Sequence, residues 1–256
     1  MQLVSLALAG VVATMLITWT ISLRLEDASI VDVVWGPSFV LVAFVAAIAG
    51  DSAADGRWLL MGLTTIWGLR LSWHLAKRKR LHPGEDRRYT ALRERHRERF
   101  AAWSLLWIFA AQGALILVIS LPLQVAAMQP WEVTAWVLPG LLLFALGFAF
   151  EALGDAQLAV FCADPGNAGA VMDRGLWRYT RHPNYFGDCC VWWGLWLIAL
   201  TAADTWWTAV GPLTMTVLLV RGSGKRLLER DIAERHRGYA HYARRTSGFV
   251  PLPPRD

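Results

Sequence analysis

The stretch LVSLALAGVVATMLITWTISL, residues 3–23, holds no charged residue over 21 positions. As a helix rising 1.5 Å per residue it is long enough to cross a hydrocarbon core about 30 Å thick. It lacks the basic start and small-residue cleavage site of a secretory signal, so it reads as a retained first membrane helix. Six further stretches repeat the pattern. Residues 30–50 (IVDVVWGPSFVLVAFVAAIAG) are apolar except for Asp32, and the third span begins at Trp58 (WLLMGLTTIWGLRLSWHLA), carrying Arg70 and His74 in its last turns. A fourth covers 101–127, closed by Gln129 and Pro130, and a fifth covers 134–161 with Pro139 and Gly140 placed where a span kinks. The last two cover 185–202 and 205–220. The predicted fold class is therefore all-α, an integral membrane bundle of seven transmembrane helices forming a single domain, 1–256. Its first part, 1–130, supplies four helices, and 131–256 supplies three helices, a loop and a tail.

Composition agrees with that reading. The 256 residues are 55% apolar, with 15 Trp and 18% charged residues, against about 25% charged residues in an average soluble protein. The mean hydropathy is +0.37. A soluble globular domain, a disordered chain and a collagen-like chain are excluded. The three cysteines, Cys162, Cys189 and Cys190, are odd in number and two are adjacent, which suits reduced thiols rather than a disulfide framework.

A net charge of +5 suits either nucleic acid or the basic loops of a membrane protein. Placement decides between them. Residues 77–99 hold ten Lys/Arg against four acids, in a solvated loop with one short helix. With that loop cytoplasmic, seven spans put 24–29, 162–183 and the tail on the same side, which then carries 23 of the 25 Lys/Arg. The N-terminus is expected outside and the C-terminus in the cytoplasm. Basic charge spread over several loops on one membrane face removes the nucleic-acid reading.

Ionisable groups inside a membrane are expensive and face a cavity or a partner. Asp32, Arg70, His74, Glu151 and Asp155 all fall near the cytoplasmic ends of their spans, and Glu151 and Asp155, four apart, share one helix face. Interfacial snorkelling or pairing with Arg is the plain alternative for each. A polar vestibule capped by apolar helices suits a water-soluble cofactor that meets a lipophilic substrate. The densest polar stretch is GLWRYTRHPNYFGD, 175–188, a composition able to grip phosphates by charge and a heteroaromatic ring by stacking and amide contacts, with an interfacial loop that anchors the bilayer as the plain alternative. No His or Cys cluster has metal-ligand spacing, and no Gly-rich strand–turn–helix signature occurs.

GLWRYTRHPNYFGD, with EALGDAQLAVF upstream and RLLER and GYAHY downstream, resembles the C-terminal domain of the steroid 5-alpha-reductase family. The resemblance covers about 140–256, and DVVWGPSF extends it more weakly toward the N-terminus. It implies an integral membrane NADPH-dependent oxidoreductase with the cofactor held on the cytoplasmic side, in a bacterial inner membrane. On that resemblance Asn184 and Asp188 take the positions of the family's cofactor-binding Asn and acid, and Tyr179, Arg181 and His182 lie in the same loop. Asp155 matches a family Asp, with Glu151 one turn before it. In the tail Arg221, Lys225 and Glu229 fall where the family places residues facing the cofactor. The first four helices would supply the cavity for a small, steroid-like enone.

The chemistry so implied is hydride delivery to the β carbon of a conjugated ketone, with a donor stabilising the enolate oxygen. Here the sequence departs from the steroid enzymes. Their Gln-Glu-Leu-Pro segment aligns with Val34, Trp35, Gly36 and Pro37, so Trp35 stands at the Glu position. The nearest acid is Asp32, about one turn earlier, and the expected Tyr is absent from 58–76. Asp32 and Trp35 are the candidate catalytic residues, with a protonated Asp32 donating to the carbonyl or, alternatively, Asp32 pairing with Arg70 to orient the pocket. Two other functions compete. A membrane methyltransferase of the isoprenylcysteine carboxyl methyltransferase type, using S-adenosylmethionine, carries a similar Arg-His-Pro segment, and a transporter or receptor also fits seven helices with intramembrane charges.

Overall fold

The computed structural model describes residues 2–51, 53, 55–221 and 238–255. The chain divides into two compact units, one of 1–136 with 199–211, the other of 137–198 with 212–256. The described residues form helices, in line with the expected all-α class.

In the first unit α1 (Gln2–Leu25), α2 (Ile30–Ala49) and α3 (Gly56–Leu81) follow one another through short turns. The buried residues of α1 are Leu3, Ala7, Val11, Met15, Thr18 and Ser22, a stripe at three- and four-residue spacing. Its other side is exposed yet apolar, from Val4 at 46% to Ile17 at 61% exposure, which suits lipid rather than water. Thr14, Thr18 and Thr20 each donate to the carbonyl four residues back, so the helix carries hydroxyls without an unsatisfied group. Between α2 and α3 the backbones meet at Gly36 and Gly68, and a Cβ on Gly36 would collide with the Gly68 carbonyl.

The basic stretch then forms a short surface helix, α4 (Arg87–His96), started by Asp86, whose carboxylate accepts from the Arg88 N–H. It continues through a 3-10 turn into α5 (Phe100–Ser104), a π-helical turn over Leu105–Ala110, and α6 (Ala111–Ile119). Pro122 opens α7 (Leu121–Ala126), where Gln124 donates to the Leu117 carbonyl at 3.0 Å and to Ser120 Oγ at 2.9 Å, restoring bonds that the break removes.

The second unit contains α8 (Leu138–Ala163), α9 (Pro183–Ala199), α10 (Val210–Arg221) and α11 (Tyr239–Arg245). Along α8, glycines recur every seven residues at 140, 147 and 154, on one face. A Cβ would come within 2.7 Å of the Gly194 carbonyl from Gly140, and within 2.5 Å of the Gly187 carbonyl from Gly147. From Gly154 it would approach Pro183 to 3.1 Å. These contacts run antiparallel along α9. The Trp193 indole donates to Thr216 Oγ1 at 3.1 Å, tying α9 to α10.

Among the described residues four stretches are long and apolar enough to cross a membrane: Gln2–Leu25, Ile30–Ala49, Arg87–Ile119 and Ala135–Ala163. They agree with the first, second, fourth and fifth expected spans. Of the remaining three, α3 is long but carries Arg70, His74 and the run from Lys77 to Arg80; α9 has 17 residues, and α10 has 12 described ones.

Gly147→Ala is expected to lower stability by about 1–3 kcal/mol, because a methyl group has no room between α8 and α9. Gly62, whose Cβ would meet nothing within 4 Å, is the control. Gly62→Ala is expected to be neutral or to stabilise by up to about 1 kcal/mol. Thermal unfolding of both variants in the same detergent checks the pair.

Candidate functional site

Two polar clusters stand out among the described residues, one in each unit. The first gathers the N-terminal end of α2, the C-terminal end of α3 and α4. Asp32 Oδ2 accepts from Arg88 at 3.0 Å, and Asp32 Oδ1 accepts from the Tyr89 hydroxyl at 2.8 Å. Arg88 also holds Asp86, through Nε to Oδ1 at 2.9 Å. The Gln112 side-chain amide approaches Tyr89 Oη at 3.4 Å. Around this core Lys79 pairs with Asp27 and donates to Ser29 Oγ at 2.7 Å. Arg93 grips Glu85 with two bonds, at 2.9 and 2.8 Å, while Glu85 Oε1 also accepts the Ala28 N–H at 2.8 Å. Asp27, Asp32, Glu85 and Asp86 thus each meet a cation, as partly buried acids require.

The sequence sought the partner of Asp32 in Arg70, and the structure supplies Arg88 and Tyr89 from α4. Both bonds make Asp32 an acceptor. With Asp32 accepting both bonds, the Tyr89 hydroxyl is a second group beside it with a hydrogen to give. Trp35 lies half-buried and packs edge-on against Phe39 at 5.1 Å, with Phe39 in turn against Trp67 at 5.6 Å. It forms an aromatic wall about one turn along α2 from Asp32.

In the second unit the segment 175–188, which enters α9 at Pro183, is fixed from two sides. On the α8 side the Trp177 indole donates to the Gly154 carbonyl at 2.9 Å, and the Leu176 N–H donates to Gln157 Oε1 at 2.9 Å. Asn184 Nδ2 donates to Asp155 Oδ1 at 3.0 Å, joining two residues 29 positions apart. On the other side, Thr180 pairs with Ser247 in a single parallel bridge, and its hydroxyl donates to the Phe249 carbonyl at 2.8 Å. The Arg181 N–H donates to Ser247 O, and the Leu252 N–H donates to Tyr179 O. The Tyr242 hydroxyl of α11 closes on the Trp177 carbonyl at 2.5 Å.

Glu151, Asp155, His182 and Asp188 are buried, and the His182 ring stacks on Tyr185 with centroids 5.3 Å apart. Glu151 and Asp155 share the packed face of α8, beside Gly187 and Asn184 respectively. Tyr179 is 44% exposed, and the exposed Arg174 and Arg178 precede it. Arg221 is exposed at the end of α10, whereas Lys225 and Glu229 lie outside the described residues. The structure therefore brings Asp155 and Asn184 into contact. It sets His182 and Asp188 as buried flanks and leaves Tyr179 facing outward.

Sequence reasoning missed Tyr89, Arg88 and the strap at Ser247–Leu252. The signal for the first two was the acid–acid–Arg–Arg–Tyr run at 85–89, in which a neutral aromatic interrupts a charged stretch. For the strap it was FVPLPP, an extended apolar segment after a polar tail.

Helix length and hydropathy define a multi-pass membrane protein. The chain belongs to the family described as a protein of unknown function, DUF1295, whose model matches residues 18–246. It is 25% identical over 262 residues to uncharacterized protein C594.04c of Schizosaccharomyces pombe, spanning 92% of this chain and 76% of that protein. No solved structure matches it.

Burial raises the Asp86 pKa, but the hydrogen bonds and charge of Arg88 outweigh it and hold the carboxyl below its ordinary value of 3.8. A depressed carboxylate contributes stability above its unfolded pKa and loses it as pH falls through the lower folded value. Asp86→Asn is thus expected to cost about 0.5–1 kcal/mol at neutral pH, after solvent screening. The difference from wild type should close on acidification below 3.8. Unfolding curves across an acid series measure this.

Proposed function

We propose that the chain is an NADPH-dependent reductase of a conjugated, lipophilic ketone, a steroid-like enone. In this reading seven helices cross the membrane with the N-terminus outside, and the cofactor faces the cytoplasm. The observation that carries the reading is the Asn184–Asp155 hydrogen bond, which unites the two residues that the family resemblance gives to the cofactor.

The residues of the second unit fit such a group. Tyr179 offers an exposed ring for stacking, the exposed Arg174, Arg178 and Arg244 offer cations for phosphates, and the Asn184 amide is held by Asp155. Glu151, Arg181, His182 and Asp188 belong to the same binding part, with Arg221, Lys225 and Glu229 as its tail contribution. When bound, NADPH supplies the hydride.

The first unit has its own candidate donor to a ketone. Tyr89 donates to the ketone oxygen, and Asp32 and Arg88 position its hydroxyl. An incoming carbonyl competes with Asp32 Oδ1 for the Tyr89 hydrogen, 2.8 Å away in the structure. Negative charge on that oxygen grows as the β carbon accepts hydride, and a fixed donor gains strength with it. Trp35, Phe39 and Trp67 wall the apolar body of the substrate. The tyrosine that the third span lacks is in this reading supplied by α4.

Titration of the purified chain with NADPH and, separately, S-adenosylmethionine tests the reading. Saturable stabilisation by NADPH is expected, weakened about tenfold or more in Asn184→Ala, the loss of one charge-adjacent hydrogen bond. Transfer of deuterium from labelled NADPH to a conjugated ketone should follow. Tyr89→Phe should lower kcat by about 100-fold with the NADPH dissociation constant unchanged. Stabilisation by S-adenosylmethionine alone replaces the reductase with a methyltransferase.

A further inference from the structure

On the far side of α2 from Asp32 lies a groove of about 310 Å³, lined by Ile30, Val33, Val34, Ala76, Lys79 and Arg80. At 100° per residue Asp32 is turned about 150° around α2 from this edge, so the groove is separate from the Asp32–Tyr89 cluster. Its floor is apolar, and the Ser72 hydroxyl, donating to the Val33 carbonyl at 2.8 Å, stitches its two helices together. Lys79 lines the groove with its methylene stem, while its ammonium is committed to Asp27 and Ser29. Arg80 has no such commitment. It and Lys77 are exposed and have no ion pair among the described residues.

An apolar slot at the end of a membrane-crossing helix, beside an uncommitted cation, matches the two parts of a phospholipid. We propose that the groove binds one anionic phospholipid, its acyl chain against Ile30, Val33, Val34 and Ala76 and its phosphate at Arg80. The size favours a lipid chain over a protein partner. A specific protein interface buries about 800 Å² on each side, far more than these six residues offer. Charge selects the headgroup, since a choline would add a cation beside the exposed Arg80, whereas an anionic headgroup neutralises it. The proposal does not rest on the reductase reading, because none of the lining residues belongs to either polar cluster's proposed chemistry except Lys79, which contributes only its stem.

The test uses the full chain in neutral detergent, with phosphatidylglycerol, phosphatidylcholine and inorganic phosphate added in separate titrations and the unfolding temperature as readout. Phosphatidylglycerol is expected to raise Tm by about 5 °C at saturation, the size of shift a well-occupied ligand gives. Phosphatidylcholine and phosphate should each give less than half of that. Val34→Trp, which fills the slot without changing charge, and Arg80→Glu, a change at an exposed position, should each lose at least half of the shift. Arg95→Glu, an equal change at an exposed arginine of α4, should keep it. The proposal is overturned if phosphatidylcholine matches phosphatidylglycerol, if phosphate alone reproduces the shift, if Arg95→Glu loses as much as Arg80→Glu, or if Arg80→Glu retains the full effect. Should Val34→Trp not fold, Arg80→Glu against Arg95→Glu decides.

Discussion

Close approach of helix backbones at glycine is the constraint on which each unit depends. In a membrane, burying apolar surface against another helix gains little over burying it in lipid, so tight van der Waals contact has to hold the helices. Gly140, Gly147 and Gly154 let α8 lie against α9 in one antiparallel register, with partners at 194, 187 and 183. That register has a chemical consequence. Once Gly154 meets Pro183, the next residue on each helix is Asp155 and Asn184, and their side chains fall within 3.0 Å. A one-residue slip would turn Asp155 by 100° around its helix and break the bond. In the first unit the Gly36–Gly68 contact does the same for α2 and α3, fixing Asp32 at an end of α2 that the loops can reach.

How much of this the sequence disclosed follows from how local each property is. Hydropathy is local, and the expected spans at 3–23, 30–50 and 134–161 coincide closely with the helices at Gln2–Leu25, Ile30–Ala49 and Ala135–Ala163. The short helix within the basic stretch was also legible, because charged residues at helical spacing leave no other regular structure. Its partner was not. Tyr89 lies 57 positions from Asp32 in the chain, and nothing in the period of either segment announces that α4 folds back to α2. No tyrosine lies within 58–76, and the tyrosine that meets Asp32 comes from the connection after the third helix. The same applies to Ser247–Leu252, whose pairing with Thr180 is a single bridge between segments far apart and leaves no periodic trace.

The basic character of the chain divides into two uses. Asp27, Asp32, Glu85 and Asp86 between them engage Lys79, Arg88, Arg93 and Arg78. Those cations are structural. They join the ends of α2 and α3 to α4, and their pairing offsets the cost of holding acids at a helix end partly shielded from water. Lys77, Arg80, Arg87, Arg95, Arg97 and Arg99 are exposed beyond that core. With the local acids largely spoken for, the surplus positive charge of this region has to be balanced from outside the cluster. Glu94 and Glu98 are exposed among these arginines, so the outer surface is mixed in sign but keeps an excess of cations. The inner pairs thus tie the assembly of the Asp32–Tyr89 cluster to the charge left at the surface, so removing an inner acid should loosen α4 and free a cation together.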